Sequence, residues 1–129
     1  MNNKKLSLTL LKEKYCVCRL NKDDEIPSWV LKGEFYSITR TEDELSIVCV
    51  QDNLKSKIKC EKNWKILKID GPLDFSLIGI LSKISVLMAE NEISIFVVST
   101  YDTDYILIKE KNLEKAIDIL KNDNYKVIR

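Results

Sequence analysis

The chain has 129 residues, with 21 basic and 20 acidic side chains, a net charge of +1 and no histidine. At 45% hydrophobic and 32% charged residues it has the balance of a folded domain, not of a disordered segment. No basic surplus points to nucleic acid, no apolar run is long enough for a transmembrane helix, and MNNKK followed by alternating apolar residues does not resemble a signal peptide, so a cytoplasmic protein is expected.

In chain order, residues 6–11 and 15–20 alternate as strands around Lys12-Glu13-Lys14 and suggest an opening hairpin. Pro27–Leu31 fits one helical turn, ended by Gly33. Residues 35–39 and 44–50 form a strand pair with its tip at 40–43. Residues 51–57 are a polar loop or single turn, and 58–60 and 64–70 are extended. Gly71-Pro72-Leu73-Asp74 breaks the strand. Asp74 or Ser76 can cap a helix that runs to about Glu90, with Leu77, Ile80, Leu81, Ile84, Leu87 and Met88 at helical spacing. Gly79 lies inside that helix at a cost of about 1 kcal/mol against Ala.

Ser94–Lys109 then reads as two β-rich runs around a polar tip, Thr100–Asp104. Asn112 can cap a second helix through Asn122, with Leu113, Ala116, Ile117 and Leu120 inward, and Tyr125–Arg129 is a last strand. From Trp64 the order is β-α-β-β-α-β, a ferredoxin-like α+β arrangement. Residues 35–48 echo residues 95–108 at a shift of sixty, with Arg40 over Thr100 and Glu44 over Asp104. The expected organisation is two fused repeats: 1–62, degenerate in its helices, and 63–129, complete.

No phosphate loop, dinucleotide fingerprint or nucleophile elbow is present, and the missing histidine removes the commonest general base, so a non-enzymatic protein without a cofactor is expected. Cys16, Cys18, Cys49 and Cys60 lack the paired spacing of a zinc site and read as small buried side chains in a reducing compartment, with no metal expected. Trp29 and Trp64 read as packing. Two places remain for binding. Asp104 opens an apolar strand, where a carboxylate needs a reason. Gly71–Ser76 joins a strand end to a helix start, where free N–H groups can hold an anion.

G-P-L-D-F-S at Gly71–Ser76, S-T-Y-D-T-D-Y-I-L-I at Ser99–Ile108 and the βαββαβ order together resemble the ACT domain. With E-F-Y-S-I-T-R-T at Glu34–Thr41 and E-L-S-I-V at Glu44–Val48, the chain is similar to small bacterial tandem-ACT proteins, to the ACT modules of the eukaryotic cytosolic arginine sensor and to the regulatory repeats of aspartate kinases. The resemblance implies a sensor or allosteric module that binds an amino acid or similar small zwitterion between ACT modules. Gly71, Pro72, Leu73, Asp74, Phe75 and Ser76 would supply one wall and hold the carboxylate through backbone amides. Ser99, Thr100 and Asp104 would supply the other, with Asp104 pairing an amino group. It also implies a homodimer with an unidentified protein target. The alternative is a structural module without ligand that binds a protein partner.

Overall fold

The extended segments expected at 58–60 and 64–70 form one strand. In the computed structural model, which describes residues 6–55, 57–70 and 79–129, it runs Lys59–Ile69. Asn63 within it is left-handed, with φ 67°. The Gln51 side chain grips this irregularity, accepting from the Asn63 N–H at 2.6 Å and donating to Asn63 Oδ1 at 3.1 Å. The strands are β1 (Ser7–Leu10), β2 (Tyr15–Leu20), β3 (Ser37–Arg40), β4 (Leu45–Val50), β5 (Lys59–Ile69), β6 (Ile95–Ser99), β7 (Asp104–Lys109) and β8 (Lys126–Ile128). The helices are α1 (Ile80–Glu90) and α2 (Leu113–Asn122), and short 3-10 turns occupy Ser28–Leu31, Gln51–Asn53 and Glu110–Asn112. The mixed α+β composition is the one the sequence implies.

The chain divides into two units, residues 13–64 and residues 65–129 together with 1–12. In the first, the strand order is β3-β4-β2-β5, with every pair antiparallel. Taking β2 as the first strand of a repeat, this order is second-third-first-fourth. One face of the sheet carries Cys16, Cys18, Leu20, Leu45, Ile47 and Cys49, buried with Val30 of the first 3-10 turn and flanked by Trp29, Leu54 and Ile58. Single turns stand where a ferredoxin-like unit has helices. On the other side Tyr15 stacks on Phe35, with ring centroids 5.9 Å apart. Gly33 is needed in the approach to β3: its φ is +99°, and a Cβ there would lie 2.7 Å from Val50 Cγ2.

In the second unit β6 pairs β7, β7 pairs β5, β5 pairs β1 and β1 pairs β8. Counting β5 as first strand, the order is again second-third-first-fourth, with β1 inserted before the last. The sequence suggests a hairpin between residues 6–11 and 15–20, but β1 pairs antiparallel with β5 (Leu8↔Ile69) and parallel with β8 (Leu8↔Val127). Burial explains the choice. Leu8 is fully buried and Leu6 and Leu10 pack around it, against Leu67, Ile69, Ile84, Met88, Ile106, Ile108, Ala116, Ile117 and Leu120. That core, lined by two helices, removes more leucine surface from water than a bare hairpin does.

The first helix differs from expectation at its start. Gly79 is its N-cap residue, with φ 87°. Its carbonyl accepts the Lys83 N–H at 2.9 Å. A Cβ on Gly79 would meet no atom within 4 Å, so a substitution there is resisted by backbone strain and not by crowding. Asp74 and Ser76, expected as caps, lie outside the described residues. Asn112 does sit at the N-cap position of α2, but its side chain makes no capping bond, because the chain enters through a 3-10 turn.

Candidate functional site

The hairpin of β6 and β7 is held by its register and by threonines. Ser99 pairs directly with Asp104, and the four preceding pairs run back to Ile95↔Ile108. At the tip the Thr100 N–H donates to the Thr103 carbonyl at 2.8 Å, the Thr100 hydroxyl donates to the same oxygen at 3.0 Å, and Thr100 Oγ1 accepts the Thr103 N–H at 3.3 Å. Thr103 is buried, and its hydroxyl donates to the Ile69 carbonyl at 2.6 Å. That bond fixes the tip of the hairpin to the end of β5, two residues before Gly71.

The residue that follows β5 is equally constrained. Asp70 accepts from Ser7 Oγ at 2.5 Å and from Thr9 Oγ1 at 2.7 Å, while its N–H donates to the Ser7 carbonyl at 2.9 Å. Ser7 and Thr9 alternate on β1, so both hydroxyls face the same side while Leu8 goes to the core. Two hydroxyl donors and a backbone bond thus hold the residue from which the segment 71–76 departs.

Of the expected site residues, the structure brings Ser99 and Asp104 together: the Ser99 hydroxyl donates to Asp104 Oδ1. Asp104 is half-buried, and among the described residues no donor reaches Oδ2. Thr100 serves the turn. Gly71, Pro72, Leu73, Asp74, Phe75 and Ser76 lie outside the described residues. Sequence reasoning missed Thr103, Asp70, Ser7 and Thr9. The legible signal was the hydroxyl alternation in S-L-T-L, which a solvent-facing strand edge also explains.

The other hairpin repeats the turn but not the site. The Thr41 N–H donates to the Glu44 carbonyl at 2.9 Å, and Thr41 Oγ1 accepts the Glu44 N–H at 3.1 Å. Thr41 therefore corresponds to Thr100 and Glu44 to Thr103, one residue off the sixty-residue shift. In this alignment Asp104 corresponds to Leu45, which is fully buried, and Ser99 to Arg40. The Arg40 guanidinium donates to the carbonyls of Lys22 and Asp24.

The cysteines form a cluster that their spacing in sequence does not reveal. Cys16 lies opposite Cys49, and Cys18 opposite Cys60. Cys16 Sγ is 3.5 Å from Cys18 Sγ and 3.7 Å from Cys49 Sγ. All three thiols are buried. The S–H groups of Cys18 and Cys49 favour a thiolate at Cys16 and hold it well below the ordinary thiol range, against burial, which opposes the charge. The donors themselves are pushed up, Cys49 to about 12.

Comparison with known proteins agrees with this fold. A sequence model described as ACT domain matches residues 59–122. A second, described as the N-terminal domain of a family named after one member, matches residues 13–57. The chain belongs to the ACT-domain family. A protein of Agrobacterium tumefaciens, solved by X-ray crystallography, is 38% identical over 96% of this chain and 92% of its own, with a TM-score of 0.90. The Clostridium acetobutylicum aspartate kinase, described as an allosteric enzyme, shares the fold at a TM-score of 0.65 and 16% identity, over 86% of this chain and 33% of its own. The bovine protein named cytosolic arginine sensor for mTORC1 subunit 1 is 24% identical over 70% of this chain, which spans 31% of that relative's length. No helix among the described residues is long and apolar enough to cross a membrane.

Proposed function

We propose that this protein is a regulatory ACT module that binds an amino acid or similar small zwitterion. In this reading Ser99, Thr100 and Asp104 form one wall and Gly71–Ser76 the other. The observation that carries it is the Ser99–Asp104 pair. A half-buried carboxylate at the first position of β7 has one oxygen occupied by Ser99 and the other without a donor among the described residues. An ammonium group is the complementary partner, and a charge-assisted bond to it is stronger than a neutral one. The anchoring of Thr103 to Ile69 supports the reading, because it links the hairpin to the strand that leads into 71–76. The hairpin of β3 and β4 belongs to the degenerate first repeat expected at 1–62, and with Leu45 and Arg40 in the positions of Asp104 and Ser99 it carries no equivalent carboxylate there. The protein works as a cytoplasmic homodimer on a separate protein target, without catalysis of its own.

Thermal-shift measurements against the twenty amino acids test this. A ligand at a hundred times its Kd stabilises the folded state by about 2.7 kcal/mol, enough for a clear shift. One amino acid, or a small chemical group of them, is expected to raise the midpoint, and Asp104→Asn is expected to abolish the rise. If no amino acid shifts the midpoint at millimolar concentration, the binding reading fails and a module that only assembles with a protein partner takes its place. Sedimentation equilibrium with and without ligand tests the dimer separately.

A further inference from the structure

The thiol cluster has no part in the amino-acid reading, and its arrangement is that of a ligand set. Three sulfurs from two strands point into one space. Cys16 and Cys18 alternate on β2 and so share a face, and Cys49 reaches the same face from β4 in register with Cys16. The three Sγ atoms all lie within 4.8 Å of one another, and two of the separations are 3.5 and 3.7 Å. At a metal–sulfur bond of about 2.3 Å, neighbouring thiolates of a tetrahedral or trigonal site stand roughly 3.8–4.0 Å apart. The observed spacing needs only small rotations about χ1 to meet that.

The surroundings select the kind of ion. The cluster shares its core with Leu20, Val30, Leu45 and Ile47, whose side chains offer no oxygen or nitrogen donor, and the backbone oxygen beside it is the Cys49 carbonyl, 3.7 Å from Cys16 Sγ. A hard cation would lose its water without replacement, whereas a soft ion is satisfied by sulfur alone. Cys60, half-buried opposite Cys18, stands outside the close trio.

We propose that Cys16, Cys18 and Cys49 form a three-thiolate site for one soft closed-shell metal ion. Any proton still on a thiol leaves to solvent as its metal–sulfur bond forms, and no electron is transferred. Because the sulfurs are inside the first unit's core, the ion binds as that unit folds or opens, and it stabilises the sheet of β2, β4 and β5.

Cadmium(II) is the probe, added to the full chain without oxygen and with a phosphine reductant. Expected are uptake of one ion per chain, a thiolate-to-metal charge-transfer band in the ultraviolet and a raised thermal midpoint that a chelator reverses. X-ray absorption on the same sample should count three sulfur neighbours, a measurement that requires no variant. Cys16→Ala and Cys49→Ala, checked for folding by circular dichroism, should each lose the band, while Cys60→Ala should keep it. Cuprous ion and zinc, each in competition with cadmium, rank the ions that the site accepts. No band at one equivalent, a shell dominated by oxygen or nitrogen, or a band that survives Cys16→Ala overturns the proposal.

Discussion

The hairpins β3–β4 and β6–β7 share a turn and diverge one residue beyond it. Thr41 and Thr100 make the same backbone and hydroxyl bonds three residues ahead. After the turn the first hairpin places Leu45 in a dry core, and the second places Asp104 at a half-buried strand start beside Ser99. Before the turn, Arg40 ties the first hairpin to the carbonyls of Lys22 and Asp24, while Ser99 orients a carboxylate. The threonine turn therefore specifies backbone geometry alone. Whether the position after it serves packing or binding is decided by one side chain, and the two hairpins have taken opposite options.

Exchanging the options should be highly asymmetric. Leu45→Asp removes a fully buried leucine and puts a carboxylate among Leu20, Val30, Ile47 and the cysteines. Large-to-small changes at such sites cost about 2–5 kcal/mol, and an unpaired buried charge adds to that. A loss of at least about 4 kcal/mol is expected, seen as unfolding of the first unit at low urea. If Leu45→Asp is tolerated within about 1 kcal/mol, the correspondence of Leu45 with a core position is wrong.

Thr103 tests the second difference. Its hydroxyl is buried and bonded to the Ile69 carbonyl, whereas Glu44, its counterpart, is half-exposed. Thr103→Val keeps the shape and removes the hydroxyl's bond to that carbonyl, at a cost of about 1 kcal/mol. Glu44→Gln should leave urea stability unchanged within error. Equal losses for the two substitutions would mean that the Thr103 bond does not distinguish the hairpins.

Much of this comparison was legible in the sequence, and the limits have physical causes. The hairpins themselves were visible because β-branched runs flank turn formers. Their mutual register was not, because the tips are short and polar and slide past each other by one residue without penalty in residue type. That one-residue slip changes which face a side chain occupies, so Glu44 seemed to match Asp104 when Leu45 does. The continuity of β5 was hidden by Asn63, whose left-handed backbone interrupts the alternation. The place of β1 was hidden because strand pairing over sixty residues is decided by which core buries Leu8. Cys16 and Cys18 could be assigned to one face from their spacing, but Cys49 joins them only through the β2–β4 register.

A smaller effect concerns the sheet that carries the first hairpin. Tyr15, opposite Val50 of β4, is fully buried, and its hydroxyl has no hydrogen-bond partner among the described residues. Burial, with Glu34 and Glu13 nearby, pushes its pKa up to about 12 from 10.0. The folded state thus holds this proton more tightly than the unfolded state. The associated stability is fully present below pH 10 and falls as pH rises through 10 towards 12. Tyr15→Phe removes the orphan hydroxyl, so a gain of about 1 kcal/mol at neutral pH is expected, together with a shallower alkaline decline. Urea midpoints of both proteins across that range check the sign. A loss on substitution would mean that the hydroxyl has a partner after all.

The smallest expected change in stability belongs to the residue of greatest interest. Asp104→Asn retains a carbonyl oxygen that can accept from Ser99, so the hairpin register and the turn survive. The site is half-exposed, and a change there should fall within about 0.5 kcal/mol. The same substitution removes the negative charge that an ammonium group needs. A position kept for architecture, as Leu45 is, loses stability when changed, and any ligand effect follows from the unfolding. A position kept for recognition loses ligand response while the apo midpoint stays in place. Measured side by side, the apo midpoint and the amino-acid-induced shift of Asp104→Asn separate those cases. A large fall in the apo midpoint would return Asp104 to the structural role that Leu45 plays in the first hairpin.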